Sequence, residues 1–395
     1  MILSHELKNF IKDHENDDIY SLALQAGKYP DIDLPSAIQQ IAGRKAAKFK
    51  LPEWYKNNDI IYPKHISLEQ SSSEYTARYK ASLFSGKCFV DITGGMGIDF
   101  YYIALNFDNA TYVEQQTELA DIAKQNFESL NLKNVTVINE DGTVYLNSMP
   151  DVDLLYIDPA RRDNIGKKVF RIEDCTPNII ELQDIITQKS RYTMVKFSPM
   201  LDISQALNSL DNISDIHIIS HNNECKELLF IKNNKEEKDT VHLHCINIKK
   251  EETDTFSFTR EDENNISIGY TSELGKYLYE PNASIMKAGA YKSITSIFPM
   301  YKLHSNSHLY TSDRLYTDFQ GRIFSIEQTC SFNKNDIKKC LSTIRQANIT
   351  TRNFPLSVHE LKKKLKINDG GEIYLFATTL ANDKKVLIIC RKVSL

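Results

Sequence analysis

Long apolar runs are missing from the 395 residues of this chain. No segment approaches the ~20 apolar residues needed to cross a bilayer. The first residues, MILSHELKNFIKDHEND, turn charged before a secretory segment could form. These absences argue against a membrane-spanning or secreted protein, and we expect a cytoplasmic location.

Cysteine is sparse and follows no pattern typical of a structural site. The seven cysteines are odd in number, and none forms a Cys-x-x-Cys pair. A disulfide framework is therefore not indicated, no metal site is predicted, and buried free thiols are expected. With 41% hydrophobic and 25% charged residues, the composition predicts a globular protein of two or three domains.

The net charge of −4 is unevenly distributed along the chain. From Asn333 onward, 13 Lys plus Arg residues stand against 5 Asp plus Glu, so this end carries +8 and the rest carries −12. A basic terminal module is typical of proteins with a polyanionic partner. A merely solvated charged face is the alternative.

Hydrophobic periodicity indicates a helical part followed by an α/β part. Residues 1–64 show helical spacing and predict a small helical domain. Between residues 85 and 232, seven apolar runs alternate with amphipathic segments, which predicts a mostly parallel, doubly wound sheet with an antiparallel edge. The predicted strands are 88–92, 110–114, 135–139, 153–158, 192–197, 215–220 and 227–231, and helices are predicted over 118–130 and 179–188.

The later part of the chain begins with charged segments and ends in a compact module. Residues 233–240 and 249–265 are dense in mixed charge and predict a solvated linker or hairpin tips. The final segment predicts an α+β module with one helix starting near Asn335 and a second whose capping box is Ser357 and Glu360. Two strands, EIYLFATTL and KKVLIICRKV, complete it.

A glycine loop follows the first predicted strand. The segment VDITGGMGIDF (90–100) puts Asp91 before Gly94, Gly95 and Gly97, which then open a helix. Small residues let a ligand approach the backbone closely, and a helix N-terminus favours negative charge. The dinucleotide pattern G-x-G-x-x-G is not met, because Phe100 stands at its third position. A loop that serves only strand-to-helix packing is the alternative.

Acids follow the next two predicted strands. Glu114 ends the second strand, 23 positions after Asp91, and Asp141 follows the third. An acid after the second strand can accept hydrogen bonds from both ribose hydroxyls, and a polar group after the third can reach an adenine amino group. A ligand with ribose and adenine but no pyrophosphate fits this set best.

The set resembles the class I S-adenosylmethionine-dependent methyltransferases, with Thr93 standing where many members have the first glycine. The resemblance implies S-adenosyl-L-methionine as the cofactor, bound by the loop that includes Thr93, with Asp91, Gly95 and Gly97 lining its methionine part. It also implies that Glu114 binds the ribose and Asp141 the adenine.

Further stretches, among them LEQSSSEYTARYKASL, DPARRD, VKFSPMLDI and RNFPLSVHELKKKLK, resemble one bacterial family of methyltransferases. The resemblance implies an α/β fold with a Rossmann-like seven-stranded methyltransferase domain, and structured RNA, tRNA or rRNA, as the partner. The implied domains are an N-terminal helical domain (1–64), the methyltransferase domain (65–240), a ferredoxin-like domain (241–325) and a THUMP-like domain (326–395).

The stretch LLYIDPARRD ends the fourth predicted strand. Methyltransferases acting on base nitrogens usually have Asp or Asn, two prolines and an aromatic residue there. Asp158 and Pro159 match that pattern, whereas Arg161 replaces the aromatic and could stack on a base or bind phosphate. We expect these three residues to be catalytic, and Arg162 and Lys196 to hold substrate phosphate. A helix cap at Asp158 and a surface salt bridge at Arg162 are the alternatives.

Asp-Pro-x-Arg also resembles the uracil C5-methyltransferases, which place a nucleophilic cysteine after the fifth strand. Here that place reads VKFSPM, so Ser198 replaces the cysteine and is predicted to contact substrate. Direct in-line transfer to a base nitrogen is therefore the predicted mechanism. Folding could still bring Cys175 or Cys225 into the site, although buried structural thiols are commoner.

The basic tail carries four lysines on one short predicted helix: Lys362, Lys363, Lys364 and Lys366. We expect them to neutralise RNA phosphates. Two other functions are compatible with the sequence. The chain could methylate a protein or small molecule and use its tail for assembly, or it could be a non-catalytic RNA-binding protein that retains the fold.

Overall fold

The computed structural model of the chain describes residues 3–63, 71–161, 171–236 and 240–394, without the side chain of Arg161. They form two compact units. The first comprises Met1–Ile216 and Glu227–Thr240, and the second comprises His217–Lys226 and Val241–Leu395. None of the described helices is long and apolar enough to cross a membrane.

The first unit begins with helices, which confirms the helical prediction for this part. They are α1 (His5–Asp13), α2 (Ile19–Ala23), a 3-10 turn (Ala26–Lys28), α3 (Leu34–Lys50), α4 (Pro52–Lys56) and, beyond residues 64–70, α5 (Glu74–Ala81). Ser4, Asp18 and Asp33 cap the first three helices by accepting a backbone N–H. Their buried faces share one apolar cluster with Ile122. The predicted boundary at residue 64 stays a prediction.

A twisted sheet follows the helices. Its strands, with a short two-stranded ribbon between them, are β1 (Gly86–Asp91), β2 (Phe107–Val113), β3 (Val135–Ile138), β4 (Val152–Ile157), β5 (Ala160–Arg161), β6 (Cys175–Thr176), β7 (Ser190–Phe197), β8 (Ile213–His221) and β9 (Glu224–Asn233). Seven of them run in the order β8-β9-β7-β4-β1-β2-β3 within a sheet of nine strands. The core strands are parallel and β9 is antiparallel to β7, so the predicted strands and the antiparallel edge are confirmed.

Helices connect the parallel strands and cover the sheet. They are α6 (Ile98–Ala104), α7 (Thr117–Ser129), α8 (Gly142–Ser148), a 3-10 turn (Ile172–Asp174), α9 (Gln183–Lys189) and α10 (Ile203–Ser209). The helix predicted over 118–130 is confirmed. The helix predicted from residue 179 begins later, because Ile179 and Leu182 form a turn in which the Leu182 N–H donates to the Ile179 carbonyl.

The second unit corrects the prediction of a solvated linker over residues 249–265. These residues include β11 (Thr253–Thr259), which pairs antiparallel with β10 (His242–Ile248), and α11 (Arg260–Asn265). Phe256 and Phe258 are buried, so alternating polar residues mask a half-buried strand. Only the turn between the strands, held by ion pairs of Lys249, matches the predicted hairpin tip.

A second sheet carries the end of the chain. Its unit contains β12 (Tyr277–Pro281), α12 (Ala283–Ala288), α13 (Ile294–Ile297), β13 (Tyr301–Lys302), β14 (Tyr310–Ser312), β15 (Gly321–Ser331), α14 (Lys334–Cys340), β16 (Asn348–Arg352), α15 (Val358–Leu365), β17 (Ile373–Thr379) and β18 (Lys385–Lys392). The strand order is β13-β14-β12-β15-β18-β17-β16. Both C-terminal helices, both strands and the reciprocal Ser357–Glu360 capping box are confirmed.

Candidate functional site

The glycine loop joins β1 to α6, and packing explains only part of its glycine content. A Cβ on Gly94 would lie 2.4 Å from the Tyr112 ring, and one on Gly97 would lie 2.7 Å from the Phe127 ring. At Gly95, in contrast, the nearest atom to an added Cβ is 3.7 Å away, and the φ of +59° is left-handed. The backbone at Gly95 is therefore open to a ligand, as the predicted cofactor requires.

Thr93 ties this loop to the end of β4. Its N–H and hydroxyl donate to Asp91 Oδ1 over 2.8 and 3.0 Å. The same hydroxyl oxygen accepts the backbone N–H of Asp158 over 2.7 Å. A glycine at position 93 could make neither hydroxyl bond, which gives a physical reason for threonine at this place.

Asp91 is almost fully buried at the end of β1. Burial raises its pKa to about 8, against the hydrogen bonds from Thr93, which lower it. At neutral pH this carboxyl therefore keeps its proton most of the time. A cationic group bound beside it would favour the ionised form.

Glu114 and Asp141 follow β2 and β3, as predicted, but they already have partners. Glu114 accepts the N–H of Gly95 and of Gln116, each over 2.8 Å. Each carboxylate oxygen has a second acceptor position, so ribose hydroxyls fit there as well.

Asp141 caps α8 through Thr143, whose hydrogen bonds lower the pKa of this carboxyl. The cap accounts for the Asp141 side chain by itself, and its cofactor role stays a prediction.

Gly142, which the sequence analysis did not select, brings the Asp141 cap against the glycine loop. A Cβ at this position would lie 1.9 Å from the carbonyl oxygen of Ile92. The start of α8 can approach the loop this closely only because the residue is glycine. An open Gly95 backbone and carboxylates after three adjacent strands fit a ligand with ribose, adenine and a cationic end.

The chain leaves β4 at the predicted catalytic motif. Asp158 is half-buried and Pro159 is buried. Arg161 pairs through its backbone with Cys175 in the ribbon of β5 and β6. The Arg161 side chain and the whole of Arg162 lie outside the described residues, so their roles stay predictions.

Lys196 is not placed like an exposed phosphate ligand. It is 9% exposed and forms an ion pair with Asp158, and its Nζ lies 3.4 Å from Asp99 Oδ2. Although burial opposes its charge, the attraction of Asp158 and Asp99 holds the pKa of Lys196 above its usual range. Ser198, which follows the end of β7, accepts the N–H of Met200 over 3.3 Å.

Behind Lys196 lies a buried polar cluster that the sequence analysis missed. Lys80 is fully buried, and its Nζ lies 2.8 Å from Asp99 Oδ1 and 2.7 Å from Glu227 Oε1. Ser72 and Tyr156 donate their hydroxyls to Asp99 Oδ2, each over 2.7 Å. Local pattern offers one signal, an aspartate on the otherwise apolar buried face of α6.

The predicted RNA-binding lysines lie on α15 in the second unit. Lys363, Lys364 and Lys366 are exposed, whereas Lys362 forms an ion pair with Asp369 over 2.9 Å. The Lys364 ammonium also lies 4.6 Å from the centroid of the Phe332 ring. Three exposed positive charges therefore occupy one helical turn and its C-terminal cap. Within the described ranges, no group of histidine, cysteine or acidic side chains could hold a metal ion.

Comparisons with known proteins cover the second unit and the whole chain. Residues 321–392 match the family model of a THUMP-like domain, and residues 277–319 match that of a ferredoxin-like domain. The crystal structure of a "putative methyltransferase" from Porphyromonas gingivalis W83 is 34% identical over 100% of both chains, with a TM-score of 0.89. No curated protein is similar enough to count as a match.

Two other solved structures share only a loose likeness. One is TrmK of M. capricolum in complex with S-adenosyl-homocysteine, 14% identical over 42% of this chain and 70% of that one, with a TM-score of 0.33. The other is an rRNA methylase of Streptococcus thermophilus, 13% identical over 40% and 92%, with a TM-score of 0.30. Superpositions this poor carry no argument about function.

The buried Asp91 gives a testable dependence of stability on pH. Between about pH 4 and 8 the unfolded chain releases this proton while the folded chain keeps it, so folding loses stability as pH rises. Asp91→Asn has no carboxyl proton to release. The stability of this variant relative to the native protein should therefore improve by roughly 1 kcal/mol for each unit by which the pH rises. Urea unfolding at pH 5 to 8, followed through the single tryptophan, Trp54, measures the difference.

Asp141→Asn is the matched control, because the pKa of this carboxyl is lowered and it stays ionised across that pH range. Its stability difference from the native protein should not change between pH 5 and 8. Parallel curves for Asp91→Asn and the native protein would refute the protonated state of Asp91.

Proposed function

Because this chain belongs to the family of class I S-adenosylmethionine-dependent methyltransferases with ferredoxin-like and THUMP-like domains, we propose that it methylates a base nitrogen of structured RNA, tRNA or rRNA. The observation that carries the proposal is the link between the glycine loop and Asp158, made by the Thr93 hydroxyl. It joins a cofactor loop to the acid of a nitrogen-methyltransferase motif. The predicted domain boundaries at residues 64, 240 and 325 belong to this proposal.

S-adenosyl-L-methionine, when bound, supplies an electrophilic methyl group. In this proposal Asp91, Thr93, Gly95 and Gly97 hold its methionine part. Glu114 accepts the ribose hydroxyls with its remaining acceptor positions, and Asp141 lies toward the adenine. Ionisation of the buried Asp91 beside a positive charge would strengthen binding.

Asp158 acts on the acceptor nitrogen. Its carboxylate accepts a hydrogen bond from the attacking N–H, and the carbonyl of the buried Pro159 offers a second acceptor. These contacts would direct the nitrogen lone pair at the methyl group that the cofactor supplies. As the nitrogen–carbon bond formed, the carbon–sulfur bond would break to leave a neutral thioether, and the N–H proton would pass to the Asp158 carboxylate. Orientation of this kind, rather than a strong base, is what transfer from a sulfonium needs. Arg161 holds the base by stacking or the neighbouring phosphate by a bidentate contact.

Nitrogen is the preferred acceptor because a carbon acceptor needs a nucleophile that the motif lacks. Ser198 stands after β7 in place of the catalytic cysteine of C5-methyltransferases, and a neutral hydroxyl is a weak nucleophile. Cys175 does come near the motif, since its backbone pairs with Arg161, but its side chain is buried. It is the single described thiol whose strand contacts the motif, and it therefore defines the covalent alternative.

RNA is the proposed substrate because the THUMP-like match coincides with a basic helix. The exposed lysines of α15 can neutralise phosphates without reading sequence. Two arginines of the same module, Arg352 and Arg391, add less, because they form ion pairs with Glu280 and with Glu327 and Glu372. The exposed lysines of α15 are therefore among the positive charges of this module that stay available to a phosphate backbone.

Removal of the Asp158 carboxylate tests the enzyme and its acid together. Asp158→Ala should reduce methyl transfer at least ~100-fold, because the acceptor N–H loses its partner, while affinity for S-adenosyl-homocysteine stays within a few-fold. Calorimetry measures that affinity, and mass spectrometry of nucleosides in tRNA and rRNA from cells with and without the gene identifies the product. A native protein that binds no S-adenosyl-homocysteine would be a non-catalytic relative. One that binds it but changes no nucleoside would act on a protein or small molecule.

Neutralising α15 tests the RNA surface. Lys363, Lys364 and Lys366 changed together to Gln should weaken retention of tRNA in a gel shift and reduce the salt slope of log Kd by about 2 to 3, one unit for each phosphate that is no longer neutralised. The same charge change in the first unit, at the exposed Lys87, Lys124 and Lys133, is the control and should leave the slope unchanged. Equal effects of both triple variants would remove α15 as the RNA surface.

Cys175→Ser decides between direct and covalent transfer. We expect its methyl transfer rate to stay within about two-fold of the native rate, because in-line transfer uses no thiolate. Cys225→Ser serves as the control for loss of a thiol. An inactive Cys175→Ser enzyme, with an RNA adduct trapped on the native protein, would establish the covalent route instead.

A further inference from the structure

Five charged side chains of the first unit form an alternating row that ends at the predicted catalytic acid. Its middle members are Lys80, Asp99 and Lys196, joined by separations of 2.8 and 3.4 Å. Glu227 lies at one end, 2.7 Å from the Lys80 ammonium, and Asp158 lies at the other, paired with Lys196. Opposite charges therefore meet at every step.

The row differs from an ordinary buried salt bridge in where it ends. The side chains of four members are at most 11% exposed, whereas the Asp158 side chain is 39% exposed. Buried ion pairs are commonly no more stabilising than apolar residues of the same volume, so stability alone does not explain five such groups. Because the row ends at its one partly exposed member, Asp158, it can fix the position of that carboxylate.

We infer that Lys196 is a positioning residue that holds Asp158 as a fixed anion, and that Glu227, Lys80 and Asp99 hold Lys196 in place from behind. This inference rests on the proposed methyl transfer. It replaces the sequence-based expectation that Lys196 binds substrate phosphate, since the ammonium group is buried and faces two carboxylates. Held this way, Asp158 is a hydrogen-bond acceptor of fixed direction.

The charge states agree with the geometry. Burial alone would raise the pKa of Asp99, but Lys80 and Lys196 outweigh it and hold that pKa below its usual range. Although burial opposes its charge, the attraction of Asp158, Asp99 and the more distant Glu227 holds the pKa of Lys196 above its usual range. Removing Lys196 therefore leaves Asp158 without this ion pair and leaves Asp99 with Lys80 alone.

A double-mutant cycle separates positioning from phosphate binding. Lys196→Met should lower kcat for methylation of RNA from cells lacking the gene at least ~10-fold, with KM for RNA little changed, because the acid is misplaced. In an Asp158→Asn background the same change should alter kcat less than about two-fold, because Lys196 then has no anion to position. Lys232→Met, which removes another fully buried lysine of this unit, is the control and should leave kcat unchanged.

Multiplying effects of Lys196→Met and Asp158→Asn would overturn the inference, as would a rise in KM with kcat intact. Either result would instead support the earlier expectation that Lys196 binds substrate phosphate. S-adenosyl-homocysteine calorimetry on each variant identifies one that has lost its fold rather than its acid. If Lys196→Met has lost its fold, Lys196→Gln takes its place in the cycle, and the same changes in kcat and KM are expected.

A readout without turnover keeps this inference separate from the proposed function. In proton–nitrogen NMR of lysine ammonium groups, Asp158→Asn should shift the signal that Lys196→Met removes and leave the signal of Lys232 in place. An unshifted signal would overturn the ion pair whatever the enzyme does. A shifted signal in a protein that methylates no RNA would instead contradict the proposed function alone.

Discussion

The hydroxyl of Thr93 holds the two functional motifs together, and this link depends on β1 lying beside β4 in the sheet. Parallel pairing of Asp91 with Tyr156 brings the ends of the two strands to one edge. From there a single side chain can donate to Asp91 and accept from Asp158. The glycine loop, the buried acid and the start of the Asp-Pro motif are then fixed relative to one another.

Low dielectric constant sets the second constraint. A buried charge without a partner is costly, and two buried carboxyls at this edge avoid that cost differently: one has opposite charges as neighbours and the other keeps its proton. Asp91 shows the second solution and Asp99 the first, although both carboxyls are buried within the same few residues of chain. The difference lies in their neighbours, since Asp99 faces two lysines and Asp91 faces hydroxyl and amide groups.

The second unit uses charge differently. Its lysines on α15 stay at the surface, where water screens them and where they gain little from one another. Several of its arginines are instead held by carboxylates, as Arg352 is by Glu280 over 2.8 Å. The net charge of this part of the chain therefore overstates the positive charge that is free to bind a polyanion. The part that remains available includes the exposed lysines of α15, which can track a phosphate backbone but give no sequence selectivity.

Local pattern by itself determined much of this protein. Alternation of apolar residues located the strands of the first sheet, a capping box located α15, and glycines beside strand-end acids located the candidate site. These features depend on neighbours a few residues apart, which a sequence shows directly. The prediction of a linker at β11 was wrong, because exposed Thr253, Thr255 and Ser257 alternate with Phe256 and Phe258 and charged segments flank the strand. Only the tertiary structure decided the partner of Lys196 and the cluster around Lys80 and Glu227. Those residues lie up to 147 positions apart. They pair because folding buries them together, where the low dielectric constant makes an unpaired charge costly, and the spacing of residues in the sequence does not show which of them will be buried side by side.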